Sequence, residues 1–190
     1  EVLRGPQSTL FGKNASAGVI SIVTKAPTGE DGANVSATVG NFDQRILKIQ
    51  VENAINENVA FDLAGSVNDR DGYVNNDNTG TRLNDHDRAS LRGQLVFTPN
   101  DTTYVRVIAD YDSIDEVCCG VNNIFQSDAE VFVNGLTGAE IYPNQPFSLN
   151  VLNNANPVNQ IDNSGISMQV DKDYGSSVLT SISSFRITDS

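Results

Sequence analysis

Arg45-Ile46-Leu47-Lys48-Ile49-Gln50-Val51-Glu52 alternates residue by residue, with Leu47, Ile49 and Val51 on one side and Lys48, Gln50 and Glu52 on the other. A period of two marks a strand with one apolar face. The pattern recurs downstream. Val59, Phe61, Leu63, Gly65 and Val67 oppose Asp62 and Ser66, and Leu91, Gly93, Leu95 and Phe97 oppose Arg88, Ser90, Arg92 and Gln94. Val105, Val107, Ala109 and Tyr111 oppose Arg106 and Asp110. No stretch carries a comparable helical period. The expectation is an all-β antiparallel meander of about seven strands, near 33–40, 44–54, 58–68, 88–98, 102–112, 165–172 and 177–187. The last has the weakest pattern, because Val178 and Ile182 interrupt its alternation.

The connections between these strands are unequal. Asn56-Glu57, Pro99-Asn100-Asp101 and Asp173-Tyr174-Gly175-Ser176 are short. Alternating with them stand Asn41-Phe42-Asp43, then 69–87, then 113–164. In a meander every second connection lies at the same end, so one end is trim and the other elaborated. Outer-membrane barrels have that asymmetry, with longer loops on the extracellular side. Strands of about ten residues also suit a tilted bilayer crossing. A soluble antiparallel sandwich alternates as well. Lys48, Glu52, Asp62, Arg92, Arg106 and Asp110 sit mid-strand on the polar face; they fit a wet lumen, and they also fit the outside of a sandwich.

Composition narrows the function. Among 190 residues, Lys+Arg is 12 and Asp+Glu is 24, a formal net charge of −12. Nucleic acid is excluded as a partner, since phosphate binding needs a basic surface. With 1 His and 2 Cys, a multi-His metal site and a chain-wide disulfide scaffold are both excluded. No apolar run approaches the roughly 18 residues of a spanning helix. Glu1-Val2-Leu3-Arg4-Gly5-Pro6 has neither the basic nor the apolar region of a signal peptide and reads as the middle of a longer sequence.

The stretch Glu1 to Pro27 differs from the rest, carrying Arg4, Lys13 and Lys25 against Glu1. Gly5-Pro6 imposes a bend, because Pro fixes its own φ and restricts its predecessor. Thr9 to Ser16 is expected to form a short helical turn with Gly12 at its exit, and Val19, Ile20, Ile22 and Val23 a short buried strand. Gly12-Lys13-Asn14 is not a phosphate loop: Asn14 stands where Ser or Thr is required, and Gly5 is too far upstream. Val2-Leu3-Arg4-Gly5-Pro6, Thr9-Leu10-Phe11-Gly12 and Asn14-Ala15-Ser16-Ala17-Gly18-Val19-Ile20-Ser21-Ile22 together resemble the end of the plug domain of TonB-dependent outer-membrane receptors, with Arg4, Gly5, Pro6, Gly12, Asn14 and Gly18 as its markers. Leu63-Ala64-Gly65-Ser66 with Asp69-Arg70-Asp71-Gly72-Tyr73 is similar to the early barrel of that family, where a strand runs out into an extracellular loop.

The resemblance implies that residues 1–27 end a plug and that 28–190 begin a 22-stranded transmembrane β-barrel closed around it. It implies a place in the outer membrane of a Gram-negative bacterium, in contact with outer-membrane lipid. It also implies energised uptake of a scarce solute, foremost a ferric siderophore, driven by a TonB complex that binds segments outside this chain. No reaction is catalysed and no cofactor is required. A soluble β-rich adhesin or carbohydrate-binding module, or a passive porin, is the competing reading; neither needs the plug motif. For Arg4 the resemblance implies enclosure by the barrel and a carboxylate partner on the wall. Glu52, Asp62 and Asp110 are the candidates on this chain, a carboxylate on a strand outside it is a further one, and the competing role is bonding local carbonyls.

Three further features remain. Cys118-Cys119 fits a vicinal disulfide, a metal-binding dithiol, an interchain bond or two inert thiols; an oxidising cell surface favours the disulfide. The connection 113–164 has no Lys or Arg and includes Asp115, Glu116, Asp128, Glu130, Glu140 and Asp162, so it is expected to be either a lid or a solvated acidic loop. Asn134-Gly135 signals a hairpin within 129–142. In 69–87, Asn75, Asp77 and Thr79 have calcium-loop spacing, but the twelfth position is His86 rather than Glu, and Asx-turns account for the segment. His86 is expected to be an exposed, silent loop residue.

Overall fold

The computed structural model describes residues 1–120, 127–137 and 147–190. The N-terminal segment forms β1 (Val2–Arg4), a single helical turn α1 (Ser8–Phe11) and β2 (Gly18–Ile20). Then follow β3 (Gly32–Val39), β4 (Arg45–Asn56), β5 (Val59–Arg70), β6 (Val74–Asn76), β7 (Thr81–Leu83), β8 (His86–Asn100) and β9 (Thr103–Val117). The remainder comprises α2 (Asp128–Thr137), β10 (Asn150–Val151), β11 (Val158–Asp173) and β12 (Val178–Asp189).

Seven strands make one antiparallel sheet in the order β12-β11-β9-β8-β5-β4-β3. This is the expected meander, each long strand pairing with the next long strand in the chain. The register aligns like with like. One row across the sheet reads Val51, Leu63, Gly93, Ala109, Ile166 and Phe185, and a neighbouring row reads Phe61, Leu95, Val107 and Met168. On the other face a single row reads Gln50, Ala64, Arg92, Asp110, Gly165 and Arg186. Side chains alternate across the pleat, so these rows make one continuous apolar face and one polar face. The apolar face is open: Leu63 is 47% exposed, Ile166 53% and Phe185 66%. An exposed apolar surface of this extent marks contact with a membrane or a partner.

The strands are longer than the alternation indicated. β5 continues to Arg70 and β8 starts at His86, so the expected loop 69–87 shrinks to 71–85. β9 continues to Val117 and β11 starts at Val158, so the expected connection 113–164 shrinks to 118–157. The missed residues lie beyond the apolar face, where alternation fades although backbone pairing persists. Arg88 still pairs with Ile114, and Asn159 with Glu116. The last strand, weak in pattern, is fully paired with β11 from Val178 to Asp189.

Two expectations are corrected. The Asn134-Gly135 hairpin is absent; Asp128–Thr137 is helical, with Val131 N–H donating to the Ser127 carbonyl at 3.0 Å. Asn-Gly directs a hairpin only when flanking segments pair as strands, and here the preceding residues close helical bonds instead. The rest of that segment, through Tyr142, lies outside the described residues. The strand expected to be buried at Val19–Val23 is the short β2, paired with β1 alone, and Ile22 is 84% exposed. Ile20 and Val23 are exposed as well.

The elaborated end carries a small folded cap. β6 pairs antiparallel with β7 and parallel with β10, placing Val74, Leu83 and Val151 in a compact apolar core with Tyr73 and Val117 against it. Asn76, 1% exposed, is its polar centre. Its Nδ2 donates to the Asn153 carbonyl (3.0 Å) and Asn156 Oδ1 (3.1 Å), while its Oδ1 accepts from the Asn153 and Asn78 amides at 3.0 and 3.3 Å. The Asn-rich clusters thus join two separate connections rather than forming local turns only. Asn76→Ala should loosen the cap by about 1–3 kcal/mol, the cost of stranding buried polar groups. Amide exchange in 74–85 and 150–156 should quicken while the centres of β8 and β9 stay protected.

Candidate functional site

The polar face holds a groove of about 1130 Å³. The register places Lys48, Glu52, Asp62, Arg92, Arg106 and Asp110 together on this face, and Ile22 of the N-terminal segment lines the groove with Lys48, Asp62, Arg92 and Asp110. Immediately after Ile22, the chain is tied to the sheet. Arg106 Nη2 donates to the Thr24 carbonyl at 2.9 Å and to its Oγ1 at 3.0 Å. Gln94 Nε2 donates to the Lys25 carbonyl at 3.3 Å and to Asp62 Oδ1 at 3.1 Å. Gln50 Nε2 donates to Asp62 Oδ2 at 2.7 Å, and Arg106 also bonds Gln94 Oε1. Glu52 Oε1 accepts the Thr28 amide and, at 2.7 Å, its hydroxyl.

This network explains why polar groups are buried in the sheet. Asp62 and Gln94 are each 4% exposed. A carboxylate so enclosed is tolerable only if its oxygens are bonded, and both Asp62 oxygens are. Gln94, held by Asp62, in turn holds the Lys25 carbonyl.

A second cluster spans the far side of the groove. Arg186 Nη2 reaches Asp110 Oδ1 and Oδ2 at 2.8 and 2.7 Å. Arg186 and Asp110 lie on strands separated by β11, so the guanidinium must cross it. It crosses at Gly165, where a Cβ would come within 2.7 Å of Arg186 Nη2. With Asp110 taken, Arg92 on the adjacent strand has its Nε buried without a hydrogen-bond partner among the described residues.

Among the described residues, none of the three candidate carboxylates pairs with Arg4. Glu52 is engaged by Thr28, Asp62 by Gln50 and Gln94, and Asp110 by Arg186. Arg4 is exposed; its strand β1 pairs with β2, and its carbonyl accepts from Gln7 Nε2 at 3.5 Å. Gly5 and Gly12 both take φ of 83°, and Gly5 N–H donates to the Ala17 carbonyl, so these motif residues shape the segment locally. Gly18 closes the β1–β2 pair opposite Arg4, and Asn14 lies between α1 and β2.

At the root of the cap, beyond the apolar face, His86 is not a loop residue but the first of β8. Its Nδ1 is 2.7 Å from Oε1 of Glu116, which is 4% exposed, and Arg88 bonds both Glu116 oxygens, Nη2 to Oε2 at 3.0 Å. Arg88, and after it His86, holds the Glu116 carboxyl below the usual range against the opposing effect of burial. The two Cys are bonded to each other, with Cα atoms 3.7 Å apart. Among the described residues no cluster of His, Cys, Asp or Glu is arranged to hold a metal ion. Sequence reading missed Arg186, Thr24 and Thr28, whose partners lie across the chain. A Gly alternating in phase with polar residues was the one available signal for Arg186.

An antiparallel wall with one apolar and one polar face, trim at one end, capped at the other, with its N-terminal segment bonded to the polar side, is the architecture of one stretch of a β-barrel wall. No family model matches the chain. Over 92 residues it is 36% identical to the vitamin B12 transporter BtuB of Vibrio cholerae serotype O1, taking in 48% of this chain and 15% of the transporter. Over 103 residues it is 24% identical to the ferrioxamine receptor of Yersinia enterocolitica, taking in 54% of this chain and 14% of the receptor. The ferric yersiniabactin uptake receptor FyuA from Yersinia pestis matches in structure with a TM-score of 0.77 at 18% identity, over 98% of this chain and 28% of that one. The chain thus spans about a seventh of the curated relatives' length. Its relatives and structural neighbours are TonB-dependent receptors, as residues 1–27 implied, and these are transport receptors.

Two outcomes are expected. Arg106→Ala should release Thr24 at a cost of about 1.5–3 kcal/mol, the range for hydrogen bonds to charged groups; a Cys placed at position 24 should then label faster. For Glu116, a carboxyl held low in the folded state contributes stability that is complete above the unfolded glutamate value and is lost as pH falls through the lowered one. Amide exchange around 86–88 and 114–117 should therefore rise below about pH 4, and Glu116→Gln should remove that dependence.

Proposed function

We propose that the chain is part of an outer-membrane receptor that takes up a scarce solute, foremost a ferric siderophore, using energy delivered by an inner-membrane TonB complex. Residues 1–27 are the end of its plug, and 28–190 the first part of the wall of a 22-stranded barrel. The apolar face meets outer-membrane lipid; Lys48, Glu52, Asp62, Arg92, Arg106 and Asp110 face the lumen. The observation that carries the reading is the anchoring of residues 24–28 to the polar face by Glu52, Gln94 and Arg106. An open porin or a sandwich surface has no use for an N-terminal segment bonded along its polar side. The names of the relatives support small solutes as cargo: vitamin B12 for one, ferrioxamine for another. An open seven-stranded sheet cannot span hydrocarbon alone, because unpaired edge groups cost several kcal/mol each, so the reading concerns the full-length receptor.

The test is uptake of labelled ferric siderophores and cobalamin by cells producing the full-length protein, with and without a working TonB complex. Saturable uptake that disappears without the complex is expected; equal uptake in both strains would point to a passive pore. Leu95→Arg, on the apolar face, should reduce the folded receptor in the membrane, since Arg facing lipid near the bilayer midplane costs about 2–4 kcal/mol. Ser167→Lys, on the polar face, should leave its amount unchanged.

A further inference from the structure

We propose that the Cys118–Cys119 bridge is a redox-modification site that holds the cap onto the end of the sheet, and that extracellular thiol reductants open it. The bridge joins adjacent residues at the point where β9 hands the chain to the cap. Both sides of it are seated. Val117 N–H donates to Asp85 Oδ1 at 2.7 Å, and its carbonyl accepts from Asn84 N–H at 2.7 Å. Gly120 N–H donates to Asn84 Oδ1 at 2.9 Å. Val117 packs on the cap core, and Gly120 lies so close to it that a Cβ would meet Val74 Cγ1 at 2.9 Å and Leu83 Cδ1 at 3.3 Å. The two cysteines therefore fix the distance and direction between two seats on one small core.

Cys119 takes φ of 69°. Few side chains adopt the left-handed region, because Cβ crowds the backbone there. Joined to Cys118, the side chain is confined to a small ring that keeps the turn closed. Cys119 is exposed and Cys118 half-buried, so a reductant can reach the bond. The chemistry is thiol–disulfide exchange. One thiolate of a dithiol attacks one Sγ, giving a mixed disulfide and a free cysteine thiolate. The second thiolate then attacks the reductant's own sulfur in the mixed disulfide and displaces the Sγ that was attacked first. Two electrons and two protons pass to Cys118 and Cys119, and the reductant leaves as its own disulfide. Once reduced, Cys119 is an ordinary residue in a disfavoured conformation, the turn relaxes, and Gly120 withdraws from Val74 and Leu83. The inference holds whatever solute the receptor takes.

The experiment is amide exchange followed by mass spectrometry on the full-length protein in detergent, before and after dithiothreitol, with thiol alkylation to verify reduction. On reduction, exchange in 74–85 and 117–120 should rise roughly ten-fold, the scale of a lost left-handed preference, while 105–111 stays protected; reoxidation should reverse it. Cys118→Ser with Cys119→Ser should behave as reduced in both conditions. Cys118→Ala with Cys119→Gly should stay protected in both, because glycine adopts positive φ freely. Unchanged exchange in verified reduced protein overturns the proposal, as does an Ala/Gly variant that exchanges as fast as the Ser/Ser one.

Discussion

A slip of one residue between any two of the seven long strands would carry apolar side chains into the groove and charges onto the open face. Everything else in the molecule depends on that register. It is fixed redundantly: the apolar row through Leu63, Ile166 and Phe185 and the polar row through Arg92, Asp110 and Arg186 are adjacent tracks of the same pairing. Because the side-chain period is two, the face pattern alone forbids odd shifts. Even shifts are opposed by specific partners, such as Ser66 and Ser90, whose hydroxyls meet at 2.8 Å.

The polar face then does two kinds of work. Near the short turns it holds the incoming segment by its backbone carbonyls at Thr24 and Lys25, and by the amide and hydroxyl of Thr28. The backbone bonds fix where the segment runs, and the hydroxyls of Thr24 and Thr28 add side-chain recognition at two positions. Farther along, Arg186 and Asp110 pair across an intervening strand, tying β12 to β9 independently of the ladder. An ion pair open to water contributes little by itself. Its crossing at Gly165 shows that geometry, more than charge, was settled there.

Much of this was legible in the sequence. Alternation gave seven strands and their faces, and unequal connections showed which end would be elaborated. What escaped had no local signature. Asn76 sits in a cluster that reads as turn-forming, yet its partners Asn153 and Asn156 lie on a distant connection. His86 stood in an apparent loop because the strands run on past the apolar face that made them visible. Asn134-Gly135 carried a hairpin signal without the strand pairing that makes it effective. The carboxylates named as candidates for Arg4 were recognisable as residents of the polar face, but face membership does not say which donors they bond; on this chain these are Thr28 for Glu52, Gln50 and Gln94 for Asp62, and Arg186 for Asp110.

The cap and its root are held by different forces. Asn76, Asn78, Asn153 and Asn156 are neutral amides, bonded mainly to one another and to backbone. Glu116 with Arg88 is ionic, and His86 lies within hydrogen-bond distance of the same carboxylate. Amide contacts carry no net charge for dissolved salt to screen, and the fall of the Debye length from about 10 Å at 0.1 M to about 3 Å at 1 M acts weakly on a pair whose carboxylate is as buried as that of Glu116. Rising salinity should thus leave the cap's internal shape, and its hinge with the sheet, much as they are in dilute solution.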